Sequence, residues 1–191
     1  VIHLACGVAL ALLASRLYRA VNAAAGEAET RLFALLAVAL WLLAPLQVST
    51  VLYPVQRAAQ MSTLFTLLGL LVFADFRLKW LQQGARLQEL FALAIWMLLC
   101  LLLAVLSKEN GILMLWLLPV LEVSIFRGRV NGTEIPLLRT LGVLALVLPL
   151  AVACMFFWWQ WDWLIRGYDA RDFTLAERVW TESRLLWTYL G

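Results

Sequence analysis

Charged residues are scarce in this chain. Only 14% of its 191 residues are Asp, Glu, Lys or Arg, and 64% are hydrophobic, whereas a soluble domain has about 25% charged and about 45–50% apolar residues. The hydrophobic residues form long blocks separated by short charged stretches, a pattern typical of transmembrane helices. The composition excludes a soluble globular fold and predicts an all-α, polytopic transmembrane helical bundle.

Histidine and cysteine are also scarce. His3 is the only histidine, and the cysteines Cys6, Cys100 and Cys154 lie inside hydrophobic blocks. Such cysteines behave as small buried hydrophobic side chains, and a lone histidine on an apolar helix is more commonly a hydrogen-bond partner between helices than a metal ligand. The sequence predicts no metal-ligand set, no disulfide framework and no evident cofactor. It leaves open whether a divalent metal is bound.

The hydrophobic blocks set the number of spans. At about 1.5 Å per residue, about 20 residues cross a ~30 Å hydrocarbon core. Six blocks are long enough, alone or with their flanking residues: 1–18, 32–53, 58–74, 90–107, 111–126 and 140–164. The sequence predicts about six spans in a single transmembrane domain, 1–191, which ends in an outer loop and interfacial helix at 165–191.

The cations between the blocks predict the topology. The five connections hold three, one, three, one and three cations: Arg16, Arg19 and Arg31; Arg57; Arg77, Lys79 and Arg86; Lys108; and Arg127, Arg129 and Arg139. Because Lys and Arg concentrate in cytoplasmic loops, the first, third and fifth connections are predicted to face the cytoplasm. The first residue and the tail after the sixth block then lie on the outer side. The net charge of +3 reflects topology and indicates no nucleic-acid partner.

The first informative feature is a polar stretch between two prolines. Pro45 and Pro54 bracket the polar run 47–50, so the helix is expected to kink or break here. Backbone groups freed at membrane depth are tolerated only against protein or a wet cavity. One interpretation is a bent outer segment that presents Gln56 and Arg57 to a polar cavity. The alternative is an ordinary proline kink followed by one interfacial arginine.

The second feature is the short connection 107–111 between the fourth and fifth blocks. It holds Lys108, Glu109 and Asn110 at the outer interface, where a cation can neutralise a lipid phosphate and a carboxylate can orient it or accept a proton. The alternative is a polar turn that caps two helices. Arg57 and Lys108 are the only two cations in the outer turns between spans, and the topology puts them on one face of the membrane.

The third feature is the tail. Thr174 and Glu177 have the spacing of a capping box, and an amphipathic helix follows, which we expect to lie on the outer leaflet. Its apolar face carries Leu175, Val179, Trp180, Leu186, Trp187 and Leu190. An aromatic girdle precedes it, made of Trp158, Trp159, Trp161 and Trp163. Arg171 and Arg178 flank the start of this helix, and the alternative is that they belong to a solvated loop.

Together these motifs resemble a known family. The order of features is similar to the membrane half of bacterial proteins that join a multi-spanning domain to tetratricopeptide repeats, related to the transmembrane-and-tetratricopeptide-repeat O-mannosyltransferases of the GT-C class. The matching motifs are Pro45 to Val48, Tyr53 to Arg57, Leu106 to Asn110, and Arg171 to Arg178. The resemblance covers nearly the whole chain. It implies a GT-C-like fold in a bacterial inner membrane, with the outer side periplasmic.

The resemblance also implies an activity. A GT-C glycosyltransferase takes a sugar from a polyprenyl-phosphate carrier at the outer face and passes it to a protein or glycan acceptor. Arg57 and Lys108 would stabilise the charge that develops on the leaving phosphate. Five further residues would position these cations, contact the sugar or close the site from the tail: Gln56, Glu109, Asn110, Arg171 and Arg178. A tetratricopeptide domain further along the chain is implied by the resemblance alone.

The chain departs from the family pattern in two places. Ala44-Pro45 stands where such proteins commonly have a His-Pro pair. The catalytic carboxylate of GT-C enzymes typically lies in the first outer loop, whereas this chain begins within what corresponds to the second helix. Val1 opens in an apolar run without an initiator Met, and we expect an internal fragment of a longer protein. The catalytic residue is therefore left unassigned.

Two alternatives from other classes stay open. One is a transporter or flippase of lipid-linked substrates, and the other is a non-catalytic scaffold that recruits a partner through its outer helix. Transporters tend to place interrupted helices and polar groups near the bilayer midplane, often in repeated halves. Here charge inside the blocks is nearly absent and no internal repeat is visible, so glycosyl transfer is the leading hypothesis.

Overall fold

The computed structural model describes residues 1–45, 47–53, 56–166 and 173–190. It divides into two compact units, Val1–Leu146 and Val147–Gly191, which are described separately. The first unit holds most of the helices and all of the cavities discussed below. The second unit holds the end of the last long helix and the tail.

The first unit is a bundle of helices joined by short connections. Its helices are α1 (Ile2–Val21), α2 (Glu27–Leu42), α3 (Gln47–Leu52), α4 (Arg57–Gln83), α5 (Leu87–Ser107), α6 (Met114–Leu121) and α7 (Pro136–Trp159), whose end belongs to the second unit. A 3-10 turn, Glu109–Leu113, precedes α6, and a π-helical turn, Glu122–Phe126, follows it. A two-stranded antiparallel hairpin joins this turn to α7, with β1 at Arg129–Val130 and β2 at Thr133–Glu134. The all-α prediction is therefore confirmed apart from this hairpin.

Helix α4 lies at the centre of the first unit and packs against α1 and α5. Small residues let its neighbours approach closely: Ala74 is fully buried, and a Cβ added to Gly69 would lie 2.3 Å from Cε of Met114. Leu70 and Ala74 share a hydrophobic cluster with Leu13 of α1 and Phe126. The core thus forms where the middle helix crosses its partners.

Five helical segments are long and apolar enough to span a membrane among the described residues: Ile2–Val21, Arg57–Gln83, Leu87–Ser107, Glu109–Phe126 and Pro136–Trp159. They correspond to five of the six blocks. The second block is divided, because α2 ends at Leu42 and α3 begins at Gln47. The expected break is confirmed at this point, whereas Pro54 lies outside the described residues. Six spans stay a prediction.

Two block boundaries differ from the sequence prediction. Helix α4 continues to Gln83, so Arg77 and Lys79 lie inside a helix and not in a connection. The loop 127–135 is a structured hairpin, which docks on the end of α4 through hydrogen bonds from the amides of Asn131 and Gly132 to the carbonyls of Trp80 and Leu81, at 2.9 and 3.1 Å. The bond to Leu81 satisfies a carbonyl that the helix end leaves free, whereas the carbonyl of Trp80 also accepts from the amide of Gly84 at 3.2 Å.

The second unit contains two further helices, α8 (Trp161–Arg166) and α9 (Leu175–Leu190). The predicted capping box at the start of α9 is confirmed: the amide of Thr174 donates to Glu177 at 2.7 Å, and the amide of Glu177 donates to the hydroxyl of Thr174 at 3.3 Å. Trp180 and Trp187 are exposed on this helix. Its interfacial location stays a prediction.

Candidate functional site

The beginning of α4 carries a run of uncharged polar residues that faces its neighbours. Gln60 and Ser62 are buried, and Thr63 and Thr66 are half-buried. The side-chain amide of Gln60 donates to the carbonyl of Thr50 at 2.5 Å, which ties α4 to α3. We call this end of the first unit, with the start of α4 and the α5–α6 connection, the outer end, after the predicted topology.

The first cavity at the outer end lies between α4 and the α5–α6 connection. It has a volume of about 290 Å³, and its polar wall consists of Ser62, Thr63, Thr66, Lys108 and Asn110. The rest of the wall is apolar and is the larger part: Ala59, Leu67 and Leu70 of α4, Leu113 of the 3-10 turn and Leu117 of α6. We name it the Lys108 cavity. Among the described residues, Lys108 is the one cation of this wall and no carboxylate lines it. Such a wall suits an amphiphilic ligand with an anionic group.

A tight hairpin positions Lys108. Helix α5 ends at Ser107, and the backbone of Lys108 is extended. The amide of Lys108 donates a hydrogen bond to the carbonyl of Ala104 at 3.0 Å. The amide of Gly111 donates a hydrogen bond to the carbonyl of Lys108 at 2.9 Å. A Cβ at Gly111 would lie 2.4 Å from the carbonyl carbon of Ala104, so only glycine fits this close approach. The predicted short connection is confirmed, and it brings Lys108 and Asn110 to one cavity.

Two further cavities adjoin the first one around the beginning of α4. The Arg57 cavity, of about 320 Å³, is lined by Val1, Ile2, His3, Val51, Arg57 and Gln60. The middle cavity, of about 220 Å³, is lined mainly by His3, Trp41, Gln47, Thr50, Gln60 and Thr63. His3 and Gln60 are walls common to these two, and Thr63 and Ala59 are walls common to the middle and Lys108 cavities. The three cavities form a row.

The row has a cation at each end and no formal charge in the middle cavity's main wall. Arg57 and Lys108 therefore line different cavities and do not meet in a single one. Neither forms an ion pair with a carboxylate in the described ranges. Of their predicted partners, Gln56 precedes α4 and is half-buried, and Glu109 is exposed and does not line the Lys108 cavity.

His3 is a candidate site residue that the sequence interpretation missed. Its ring stacks on Trp41 with centroids 4.9 Å apart, and it lines both the Arg57 and the middle cavity. Its Nδ1 atom is buried and has no hydrogen-bond partner in the described part of the chain. The expectation of a satisfied interhelical histidine is thus not met at this atom. The signal was present, because a polar residue inside an apolar helix marks a functional-site candidate.

The tail residues are described only in part. Arg178 lies in the second unit and forms an exposed pair with Glu182, four residues later, at 3.9 Å. Arg171 lies outside the described residues. The predicted role of these two arginines in closing the site stays a prediction.

The opposite end of the first unit, which we call the inner end, contains a buried ion pair. Arg77 is 2% exposed, and its Nε and Nη2 donate to the two carboxylate oxygens of Glu122, both at 2.7 Å. The amide of Gly128 also donates to Glu122 at 3.2 Å. The rings of Trp80 and Phe126 flank the guanidinium, with centroids 5.8 and 5.3 Å from Cζ. Bidentate pairing of this kind is strong and directional.

The pair corrects the interpretation of Arg77 as a cation of a cytoplasmic connection. Two residues that belong to apolar stretches of the sequence neutralise each other in the protein interior, 45 positions apart. Among the described residues, no group of three or more His, Cys, Asp or Glu side chains is placed to hold a metal ion. The polar chemistry of the first unit thus divides into an outer row of cavities and an inner ion pair.

Comparisons with protein-family models, with curated proteins and with solved structures gave no match. The resemblance to GT-C proteins therefore depends on the sequence motifs alone.

Proposed function

We propose that this chain is part of a GT-C-like membrane glycosyltransferase that uses a polyprenyl-phosphate-linked sugar at the outer face of the membrane. The observation that carries the proposal is the row of three cavities at the outer end, with Arg57 at one end and Lys108 at the other. Neither cation is neutralised by a carboxylate within the described ranges. A phosphate-bearing lipid supplies the missing negative charge.

The uncharged part of the row suits a sugar. The middle cavity combines hydroxyl and amide side chains with the stacked rings of His3 and Trp41. Sugars offer hydroxyl groups for hydrogen bonds and apolar C–H faces for contact with aromatic rings. The unpartnered Nδ1 atom of His3 gains a partner when a hydroxyl group binds there, which removes the cost of a buried polar atom without a hydrogen bond.

The proposed reaction is a substitution at the anomeric carbon. The acceptor oxygen forms a bond to this carbon while the bond to the phosphate oxygen breaks, and the phosphate leaves with the electron pair. A base takes the acceptor's proton. Lys108 or Arg57 stabilises the charge on the leaving phosphate, and the polar residues of α4 orient the sugar. The base is not assigned to this chain, because the resemblance implies a carboxylate in a preceding outer loop.

The test uses the full-length protein in proteoliposomes with a polyprenyl-phosphate sugar as donor. Lys108→Gln and Arg57→Gln remove one charge each, whereas Lys108→Arg retains it. A hydrogen bond to a charged group contributes about 1.5–3 kcal/mol, so the Gln variant of the cation that holds the leaving phosphate is expected to lower transfer by roughly tenfold or more. Arg19→Gln is the matched control, since Arg19 is exposed at the end of α1, away from the row. Wild-type transfer by both Gln variants would refute the proposal.

A transporter or flippase of lipid-linked substrates is the second candidate. It is favoured by one observation, the buried Arg77–Glu122 pair within helices long enough to span a membrane, because ionisable residues at membrane depth often mark transport pathways. A fluorescent polyprenyl-phosphate lipid distinguishes the two. Protein-dependent movement of the lipid between leaflets without transfer supports transport, and transfer without such movement supports the transferase. Binding without either supports the scaffold alternative.

A further inference from the structure

A groove of about 260 Å³ lies at the inner end, between α4, the α6 region and α7. It is independent of the outer row of cavities. Its wall is almost entirely apolar and includes Phe73, Leu118, Leu138, Leu141 and Ala145. Such a surface between helices of a membrane protein suits an acyl chain.

The groove also has polar groups in its wall. Arg77 and Glu122 line it, and their bidentate pairing leaves no net charge there. The Nη1 atom of Arg77 is buried and has no hydrogen-bond partner in the part of the chain that the structure describes. A ligand for this groove is therefore mainly apolar but carries acceptor oxygens, as the ester region of a lipid does.

Two exposed arginines, Arg127 and Arg139, lie near the groove in sequence and at the backbone, although neither forms part of its wall. Gly128 follows Arg127 in the chain, and a Cβ built on Gly128 would lie 3.1 Å from Cβ of Arg139. The backbones of Arg127 and Arg139 are therefore close together. Arg139 directly follows a residue of the groove wall. Arg127 and Arg139 are exposed and form no ion pair among the described residues. Arg129 differs, since it pairs with Glu134 at 3.2 Å.

We propose that this groove binds one anionic glycerophospholipid. The phosphate contacts Arg127 and Arg139, one acyl chain follows the apolar wall, and the ester oxygens lie near Arg77. Charge complementarity selects the headgroup, because the two unpaired cations have no acidic partner in the described chain. The predicted topology puts the hairpin on the cytoplasmic side, where basic pockets between membrane helices recognise anionic lipid headgroups.

The test is native mass spectrometry of the full-length protein with dioleoyl phosphatidylglycerol and dioleoyl phosphatidylcholine, which share their acyl chains and differ in charge. The wild-type protein is expected to retain phosphatidylglycerol and to lose phosphatidylcholine. The double variant Arg127→Gln/Arg139→Gln is expected to bind phosphatidylglycerol at least about tenfold more weakly. The reason is that each arginine near an anionic lipid headgroup contributes to the free energy of binding. Arg19→Gln/Arg86→Gln is the matched control, because both residues are exposed and lie in other predicted cytoplasmic connections.

A third variant tests the groove itself. Ala145 is exposed in the wall, so Ala145→Trp fills the groove without removing charge and is expected to weaken phosphatidylglycerol binding while the thermal unfolding temperature stays near that of the wild type. Equal retention of both lipids would overturn the proposal, as would unchanged binding by the arginine double variant. Wild-type binding of phosphatidylglycerol by Ala145→Trp would show that the acyl chain of the lipid does not lie in the groove. Competition by inorganic phosphate alone would indicate a simple anion site and refute lipid recognition.

Discussion

The side chain of Gln60 donates a hydrogen bond to the backbone carbonyl of Thr50 at 2.5 Å. This bond connects α4 to α3, the short helix that follows the break after α2. The carbonyl of Thr50 lies near the end of α3, where helical carbonyls lack partners within the helix. Gln60 is 8% exposed and lines both the Arg57 and the middle cavity. One side chain thus holds the outer segment in place and forms the wall of the proposed site.

Replacing Gln60 is expected to reduce both stability and function. Gln60→Leu keeps a similar volume but leaves the Thr50 carbonyl without this donor, which costs about 1–3 kcal/mol for a buried group. We expect a lower unfolding temperature in detergent and a loss of donor-lipid binding. Gln83→Leu is the control, because Gln83 is exposed at the opposite end of α4, away from the row of cavities. Equal unfolding temperatures for the two variants would show that the Gln60 bond does not stabilise the outer end.

The hairpin between α5 and α6 depends on glycine. Gly111→Ala puts a methyl group 2.4 Å from the backbone of Ala104, so the connection must shift, at a cost of about 1–3 kcal/mol. Because the same connection carries Lys108, donor binding is expected to fall with stability. Gly26→Ala is the matched control, because nothing lies within 4 Å of a Cβ added there. An effect of Gly111→Ala no larger than that of Gly26→Ala would contradict this account.

The features predicted correctly are those that short stretches of sequence determine. Prolines and polar residues predict the break after α2, and a five-residue polar connection predicts the turn at Lys108. The capping box at Thr174 and Glu177 likewise depends on residues three positions apart. In each case the deciding interaction lies within one turn or one connection, so local physical rules suffice.

The features that sequence reasoning missed depend on distant partners. Arg77 lies at the end of an apolar stretch and looks like a loop cation until Glu122, 45 residues away, pairs with it. His3 lines the cavities because its ring stacks on Trp41 of α2 and lies near Gln60 of α4. Arg57 and Lys108 line different cavities because Arg57 begins α4 and lies beside Val51 and His3, whereas Lys108 belongs to the α5–α6 connection. Such placements come from the packing of helices, which charge and hydropathy patterns do not specify.

The Arg77–Glu122 pair is expected to behave as one unit. Removing one partner leaves a buried charge uncompensated, which costs about 3–5 kcal/mol, whereas an apolar replacement of both is far better tolerated. Arg77→Met and Glu122→Met should each destabilise the protein strongly, and the double variant should lose less than the sum of the two. The measurement is the free energy of unfolding in mixed micelles across the double-mutant cycle. Additive effects would show that the two side chains do not stabilise each other.

The start of α9 is expected to respond to acid. Hydrogen bonds from the amide and hydroxyl of Thr174 hold the pKa of Glu177 below its ordinary value of 4.5. A lowered pKa in the folded state means that the carboxylate stabilises the helix above pH 4.5 and that this contribution is lost as the pH falls through the lowered pKa. The protection factors of the amides in the first turn of α9, which are exchange rates corrected for the intrinsic effect of pH on exchange, should therefore fall at acidic pH. In Glu177→Gln this change should be smaller, whereas Glu182→Gln should resemble the wild type; identical pH profiles for all three would contradict the cap.

The inner and outer ends of the first unit are expected to face opposite sides of the membrane. The cations of the 127–139 region lie at the inner end, and Arg57 and Lys108 lie at the outer end, with α4 running from one to the other. By the positive-inside rule, a reporter inserted after Gly128 should be cytoplasmic and one inserted after Asn110 periplasmic. Alkaline phosphatase, which is active only outside the cytoplasm, and a fluorescent protein that matures inside it give opposite readouts at the two sites. An active phosphatase at Gly128 would show that the predicted topology is inverted. The row of cavities with Arg57 and Lys108 would then face the cytoplasm, and the proposed phospholipid groove would face the opposite side.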